Sequence, residues 1–162
     1  MLTKTTFQRA QGYINVKINN NEINRFYQSG SAKVFYPKSS QKFKELVLVN
    51  TAGGITSGDN FAYDFKIVNK SKIFLTTQTA ERAYKGFNEK AKIKISLTLD
   101  DTSNLFWIPQ ELILFNNCNF DRNIEVNLSP NSNFILAETT IYLVEQQWVN
   151  VLKRVISTTI GE

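Results

Sequence analysis

Ala91-Lys92-Ile93-Lys94-Ile95-Ser96-Leu97-Thr98-Leu99 alternates apolar and polar side chains without a break, and a polar turn, Asp100-Asp101-Thr102-Ser103-Asn104, carries it into Leu105-Phe106-Trp107. Alternation at period two puts one set of side chains on each face of an extended chain, so the stretch reads as strand, turn, strand. The unit recurs as Ile67-Val68-Asn69-Lys70-Ser71-Lys72-Ile73-Phe74-Leu75 and as Val126-Asn127-Leu128-Ser129-Pro130-Asn131-Ser132-Asn133-Phe134-Ile135-Leu136. Aligned on Ile73, Leu105 and Phe134, the copies are about 30 residues apart, a spacing typical of stacked units that complete one another's cores. Any all-β chain also makes hairpins at comparable spacing, so the period alone leaves both arrangements open.

Working outward, Tyr13–Ile18, Phe61–Val68 and Asn123–Leu128 alternate in the same way and are expected to be half-buried strands. Leu46-Val47-Leu48-Val49 is continuously apolar and is expected to be covered on both faces. Thr79-Ala80-Glu81-Arg82-Ala83-Tyr84 offers one helical turn, ended by Lys85-Gly86, and residues 142–156 suit helix or strand equally. No linker divides the chain. The expected fold is mainly β, with layered, stacked strands in a solenoid-like arrangement and little helix, forming one domain over residues 1–162.

Composition agrees with a packed β domain. Of 162 residues 42% are hydrophobic and 20% charged, with 12 Phe and 6 Tyr, and only 7 Gly and 3 Pro. The start, Met1-Leu2-Thr3-Lys4-Thr5-Thr6-Phe7, has no apolar core of signal-peptide length, and no run approaches the roughly 20 apolar residues of a membrane-spanning helix. With a lone Cys118 that cannot form an internal disulfide, the chain is expected to be cytoplasmic and not to bind membranes. The net charge of +5 is unevenly placed: residues 1–100 hold 16 Lys and Arg against 7 Asp and Glu, whereas residues 101–162 hold 3 against 7. A polar partner surface would explain this, as would lysine-bearing solvated strand faces. Nucleic acid is not expected, because the lysines of Ala91–Leu99 alternate with core residues and no nucleic-acid-binding motif is present.

The chemistry open to the chain is narrow. With no histidine, Ser-His-Asp and Cys-His nucleophile systems are excluded, as is the commonest transition-metal ligand. One cysteine cannot build a multi-thiolate site, so oxygen donors and weak or transient metal handling remain. Val49-Asn50-Thr51-Ala52-Gly53-Gly54-Ile55-Thr56-Ser57-Gly58-Asp59 has the glycine spacing of a phosphate loop at Gly53 and Gly58. The next residues are Asp59 and Asn60 where Lys and Ser or Thr are required, and an acid there would repel phosphate. A sharp reversal beside a packed layer, with Asp59 bonding turn amides, accounts for the segment better.

Thr76, Thr77 and Gln78 lie at a strand exit, where core architecture explains the threonines about as well as function does. Pro109 ends ladder pairing before Gln110 and Glu111, and Glu111 stands among Trp107, Leu112, Ile113 and Phe115. A carboxylate in such company must be paired, protonated or wet, which makes it a candidate functional acid. Asp59 and Glu111 as a glycosidase-like acid pair carry little weight, since separated acids are common and geometry is the test.

Three motifs in order resemble the urease accessory protein family called UreD, or UreH in some systems. They are the glycine turn with Gly53, Gly54, Gly58 and Asp59; Thr76-Thr77-Gln78 with Glu81 and Tyr84; and Trp107-Ile108-Pro109-Gln110-Glu111 with Leu114-Phe115. The likeness begins near Gln28–Pro37 and fades after Glu138. It implies a non-enzymatic chaperone or scaffold that binds apo-urease and UreF, and through UreF the GTPase UreG, to assist nickel insertion into urease. It implies layered β-strands, no tightly bound cofactor, and nickel only in transit along a polar passage. On that passage Asp59, Glu111 and Glu138 match acidic positions and would act as oxygen ligands.

Two departures stand out. Family members continue well beyond the position of Glu162, and Tyr142–Asn150 lacks the Gly-Arg element expected before a closing Gly-Glu. The expectation is therefore a chain lacking its C-terminal portion, with an open β edge and a tendency to self-associate. The alternative function is a β-rich interaction module that has lost maturation activity.

Overall fold

A computed structural model of the protein describes residues 8–38, 43–87, 89–144 and 147–159, with side chains as far as residue 143. Among the described residues the regular elements are all strands. On one face β5 (Asn60–Val68), β8 (Ala91–Leu99) and β11 (Phe120–Leu128) stack in parallel. They are extended by β1 (Gln11–Asn19), parallel to β5, and β2 (Glu22–Gly30), antiparallel to β1. A second face stacks β4 (Lys44–Asn50), β6 (Lys72–Thr77), β9 (Asn104–Trp107) and the start of β12 (Asn133–Val144), all parallel, with β3 (Ala32–Phe35) antiparallel on β4. A short third face joins β7 (Glu81–Ala83), β10 (Leu112–Phe115) and Thr140–Leu143 of β12. β13 (Gln147–Thr159) runs antiparallel along β12.

The chain thus winds through the second, third and first faces in turn, as β4-Ile55-β5, β6-β7-β8 and β9-β10-β11, before β12 starts the next turn. Ile55, in the glycine segment, makes a parallel bridge to Ala83 and so takes the place that β7 and β10 hold in later turns. This is a β-solenoid of about three turns, the stacked alternative that the sequence period left open.

Register follows the alternation. Inward side chains of the first face line up as Ile14-Tyr63-Ile95-Ile124, Val16-Phe65-Leu97-Val126 and Ile18-Ile67-Leu99-Leu128. Facing them on the second face are Leu46-Leu75-Trp107-Leu136 and Ile73-Leu105-Phe134. The repeat anchors Ile73, Leu105 and Phe134 are therefore direct register partners. These columns form one continuous core, and each fully buried Ile, Leu or Phe in it is worth about 1.5–3 kcal/mol over an exposed one. On β11, with a strand on one side only, Phe120, Ile124, Val126 and Leu128 are half-buried.

At the corner between first and second faces each turn places a fully buried serine, Ser71, Ser103 or Ser132, two residues before the anchor. Their hydroxyls close the corner locally: Ser103 Oγ donates to Asp100 Oδ1 at 2.8 Å and Ser132 Oγ to Ser129 O at 2.6 Å. Their carbonyls link turns, since Asn104 N–H donates to Ser71 O at 2.8 Å and Asn133 N–H to Ser103 O at 2.9 Å.

Two local expectations are revised, and one left open is decided. Glu81–Ala83 is a strand rather than a helical turn, because pairing with Leu112–Leu114 and Ile55 outweighs the local preference. Residues 147–156 continue the extended backbone of a hairpin with β12. Leu46 and Leu48 are buried but Val47 and Val49 are only half-buried, as the outer side of the second face is uncovered.

Candidate functional site

Where the second face turns into the third, the three sequence motifs meet. Gly53 and Gly54, then Thr77, Gln78 and Glu81, then Pro109 and Gln110 line one cleft around a cavity of about 110 Å³. Its inner walls are Tyr63 of β5, Ile93 and Ile95 of β8, Trp107 of β9, Arg122 of β11 and Glu138 of β12.

Backbone bonds between successive turns hold the motif loops in place. Gln78 N–H donates to Leu48 O at 2.8 Å, Glu81 N–H to Glu111 O at 2.8 Å, and Gln110 N–H to Thr77 Oγ1 at 2.9 Å. At Gly54 φ is +139°, and a Cβ would lie 2.4 Å from the Tyr84 ring and 2.9 Å from Arg82 O. Only glycine takes that conformation with that neighbour. Asn50, at the end of β4, ties this turn to the acid of the second motif. Its Nδ2 donates to Gly54 O at 3.2 Å and to the Glu81 carboxylate at 3.3 and 3.4 Å.

Burial pushes the Glu81 carboxyl above its ordinary value. The Asn50 side chain, the Arg82 N–H and the charges of Arg122 and Arg82 pull the other way without cancelling the shift. Tyr63 is raised as well, first by burial and then by the nearby Glu81 charge. Glu138 is held differently. Its Oε1 accepts from Trp107 Nε1 at 2.8 Å and from Arg122 Nη2 at 2.6 Å, with the Arg122 and Glu138 side chains 17% and 16% exposed. Arg122 shares a register column with Phe61 and Ile93, so a cation stands where earlier turns carry apolar residues.

The structure therefore brings Glu81 and Glu138 together with Arg122, Tyr63 and Asn50. It leaves the other two acids elsewhere. Asp59 is buried at the far side of the glycine turn, where Oδ1 accepts Ala10 N–H and Oδ2 accepts Thr56 N–H, both at 2.8 Å. Its carbonyl accepts Lys92 N–H at 2.8 Å, so Asp59 ties together the N-terminal segment, the turn and β8. Glu111 contributes its carbonyl to Glu81, but its side chain is not among the groups lining the cleft. Thr76 is buried beside Thr77, and Gly58 closes the turn at Asp59 with φ of +80°. Among the described residues no three His, Cys, Asp or Glu side chains gather as a metal site.

Arg122 and Tyr63 belong to none of the three motifs, and sequence reasoning misses them; Asn50 lies within the glycine stretch, but its tie to Glu81 is not read from the sequence. Arg122 leaves a signal there: it occupies an inward position between Phe120 and Ile124, a charge where the alternation calls for an apolar residue. Chemically the cleft offers carboxylate, amide and hydroxyl oxygens and two arginines, Arg82 and Arg122. Such groups bind hydrated cations or polar chain segments weakly and reversibly.

The UreD urease accessory protein family model matches residues 10–142. Similar proteins include the urease accessory protein UreD of Paracoccus denitrificans (strain Pd 1222), 37% identical over 134 residues that cover 83% of this chain and 48% of that protein. That of Jannaschia sp. (strain CCS1) is 35% identical over 136 residues, covering 84% and 51%. That of Rhodopseudomonas palustris (strain BisB5) is 36% identical over 118 residues, covering 73% and 42%. The chain spans about half the length of these curated relatives. With the match running through the turns that build the cleft, the chain belongs to the UreD family of urease accessory proteins.

Proposed function

We propose that this chain serves urease maturation as a non-catalytic scaffold. In this reading it binds apo-urease and the accessory protein UreF, and through UreF the GTPase UreG, so that nickel reaches the urease active site. The observation that carries the reading is the convergence of all three family motifs on one cleft with Glu81 and Glu138 in its wall. Two carboxylates set into a mostly apolar wall are more than packing requires, because packing alone would have placed apolar side chains there. Nickel in transit would meet the oxygens of Glu81 and Glu138 there. Asp59 and Glu111 would act elsewhere on the path.

The test is co-expression of the chain with urease subunits, UreF and UreG, followed by capture, nickel analysis and urease assay. Glu81→Gln and Glu138→Gln should still capture partners while slowing activation several-fold. Full activation by both variants removes nickel handling from the cleft, and failure of the parent chain to capture apo-urease or UreF overturns the scaffold. A second reading, an interaction module without maturation activity, predicts capture with no activation.

A further inference from the structure

The surplus of Lys and Arg in the first hundred residues has a structural focus that the cleft does not use. On the outer side of the first face, Arg25 of β2, Lys17 of β1 and Lys66 of β5 are consecutive register partners across three adjacent strands. Neighbouring strands lie about 4.8 Å apart, so three like charges stand side by side on one surface. Like charges directly opposite one another disfavour the sheet. Among the described residues none of the three forms an ion pair. Of the acids on this side, Asp64 accepts from Asn15 Nδ2 at 2.7 Å and Asp100 accepts from Asn69 N–H and Ser103 Oγ, while Glu22 stands exposed in the next register row, opposite Asn19. The β1–β2 register slips immediately after the Lys17–Arg25 pair, a bulge of the kind that re-aims side chains at sheet edges. In the adjoining register row Tyr27 is 51% exposed, and Tyr13, one row further, is 39% exposed, with ring centroids 5.8 Å apart.

We propose that the Arg25–Lys17–Lys66 row, with Tyr27 and then Tyr13 on one side of it, is a docking surface for an acidic segment of a protein partner. Charge complementarity selects the occupant. Carboxylates spaced along an extended chain can each meet one cation, while the tyrosines take apolar contacts beside them. A nucleic acid fits less well, since beyond Lys66 the same register row continues as the neutral Thr98 and Asn127, so only three cations would face a continuous phosphate chain. The surface is the outside of the sheet whose inner side carries Tyr63 and Arg122, so its occupancy and the chemistry of the cleft are separable.

The experiment uses the full chain and a fluorescently labelled decaglutamate peptide, read by anisotropy at about 0.1 M salt, where the Debye length is about 10 Å. Lys17→Gln/Lys66→Gln should weaken binding about tenfold or more, because the charges nearest the ligand dominate once distant ones are screened. Lys85→Gln/Lys90→Gln removes the same net charge away from the row and should change binding less than about twofold. Circular dichroism of both variants confirms that the sheet is intact. Equal losses in the two variants, or no binding of the peptide by the parent chain, overturn the proposal. Tighter binding of a labelled ten-nucleotide DNA strand than of the peptide at the same salt also overturns it, in favour of a nucleic-acid surface.

Discussion

Arg122 Nη2 lies 2.6 Å from Glu138 Oε1, and this ion pair bridges the last strand of one face to the first strand of the next turn on the other. Trp107 Nε1–H reaches the same oxygen, so the carboxylate is fixed from two directions. With both partners mostly buried, losing one strands the other without water. Arg122→Met should cost about 2–3 kcal/mol, somewhat less than a wholly buried pair. Adding Glu138→Gln, which keeps an acceptor for Trp107, should recover at least about 1 kcal/mol of that loss. Urea midpoints of the four proteins in the cycle check this; strictly additive losses would mean the two charges are not coupled.

Glu81 gives a pH dependence with a defined sign. Its carboxyl titrates above its ordinary value near 4.5 when folded, so the folded chain binds this proton more tightly than the unfolded chain does. Its contribution is most favourable below the unfolded value and declines as pH rises through the folded one. Glu81→Gln should therefore flatten the stability profile from about pH 4.5 upward and stabilise the protein at pH 7. Denaturant midpoints across pH 4–8 for both proteins decide it, and a parent profile that rises relative to the variant would reverse the argument.

The two adjacent glycines of the turn should respond differently. Gly53 has φ of +79° and open space within 4 Å of where a Cβ would stand, so Gly53→Ala should cost only about 1 kcal/mol of backbone strain. Gly54 adds a collision with Tyr84 and Arg82 O to its own positive φ, and Gly54→Ala should cost about 2–4 kcal/mol. Thermal melts of the two variants make the comparison. Gly54→Ala paired with Tyr84→Ala should regain part of the loss.

Ser103 has no exposed surface, and its hydroxyl caps the corner through Asp100. Ser103→Ala should cost about 1 kcal/mol, the net value of one such bond, whereas Ser103→Val should cost roughly 2 kcal/mol or more by crowding a filled corner. Equal melting temperatures for Ser103→Ala and the parent chain would show that the corner is held by its backbone alone.

Much of this fold is legible in the sequence because a strand's face is written at period two and a solenoid's turns at a longer period. Ile73, Leu105 and Phe134 align by eye and meet in register for that reason. The aligned units also hold Ser71, Ser103 and Ser132 at one position, although a serine in a polar turn gives no hint that it will be buried. Glu81–Ala83 reads as helical because three residues carry too little pattern, and their partners lie in other turns. Of the site, the motifs mark the loops and Glu138 marks the wall. The rest depends on which turns stack: Arg122 meets Glu138 from another face, and Asn50 reaches Glu81 across 31 positions of sequence.

The parallel stacking has a consequence for how the molecule comes apart. Each winding rests only on the one before and the one after, so cooperativity is passed along by contact rather than shared through a single centre. Loosening should start at the outermost strands and move inward, and backbone amides of β5 and β8 should be the last to exchange with deuterated solvent. The cleft draws on three windings and on the strand that starts a fourth, so it should lose its shape as soon as the outermost of them lets go, well before the remainder melts.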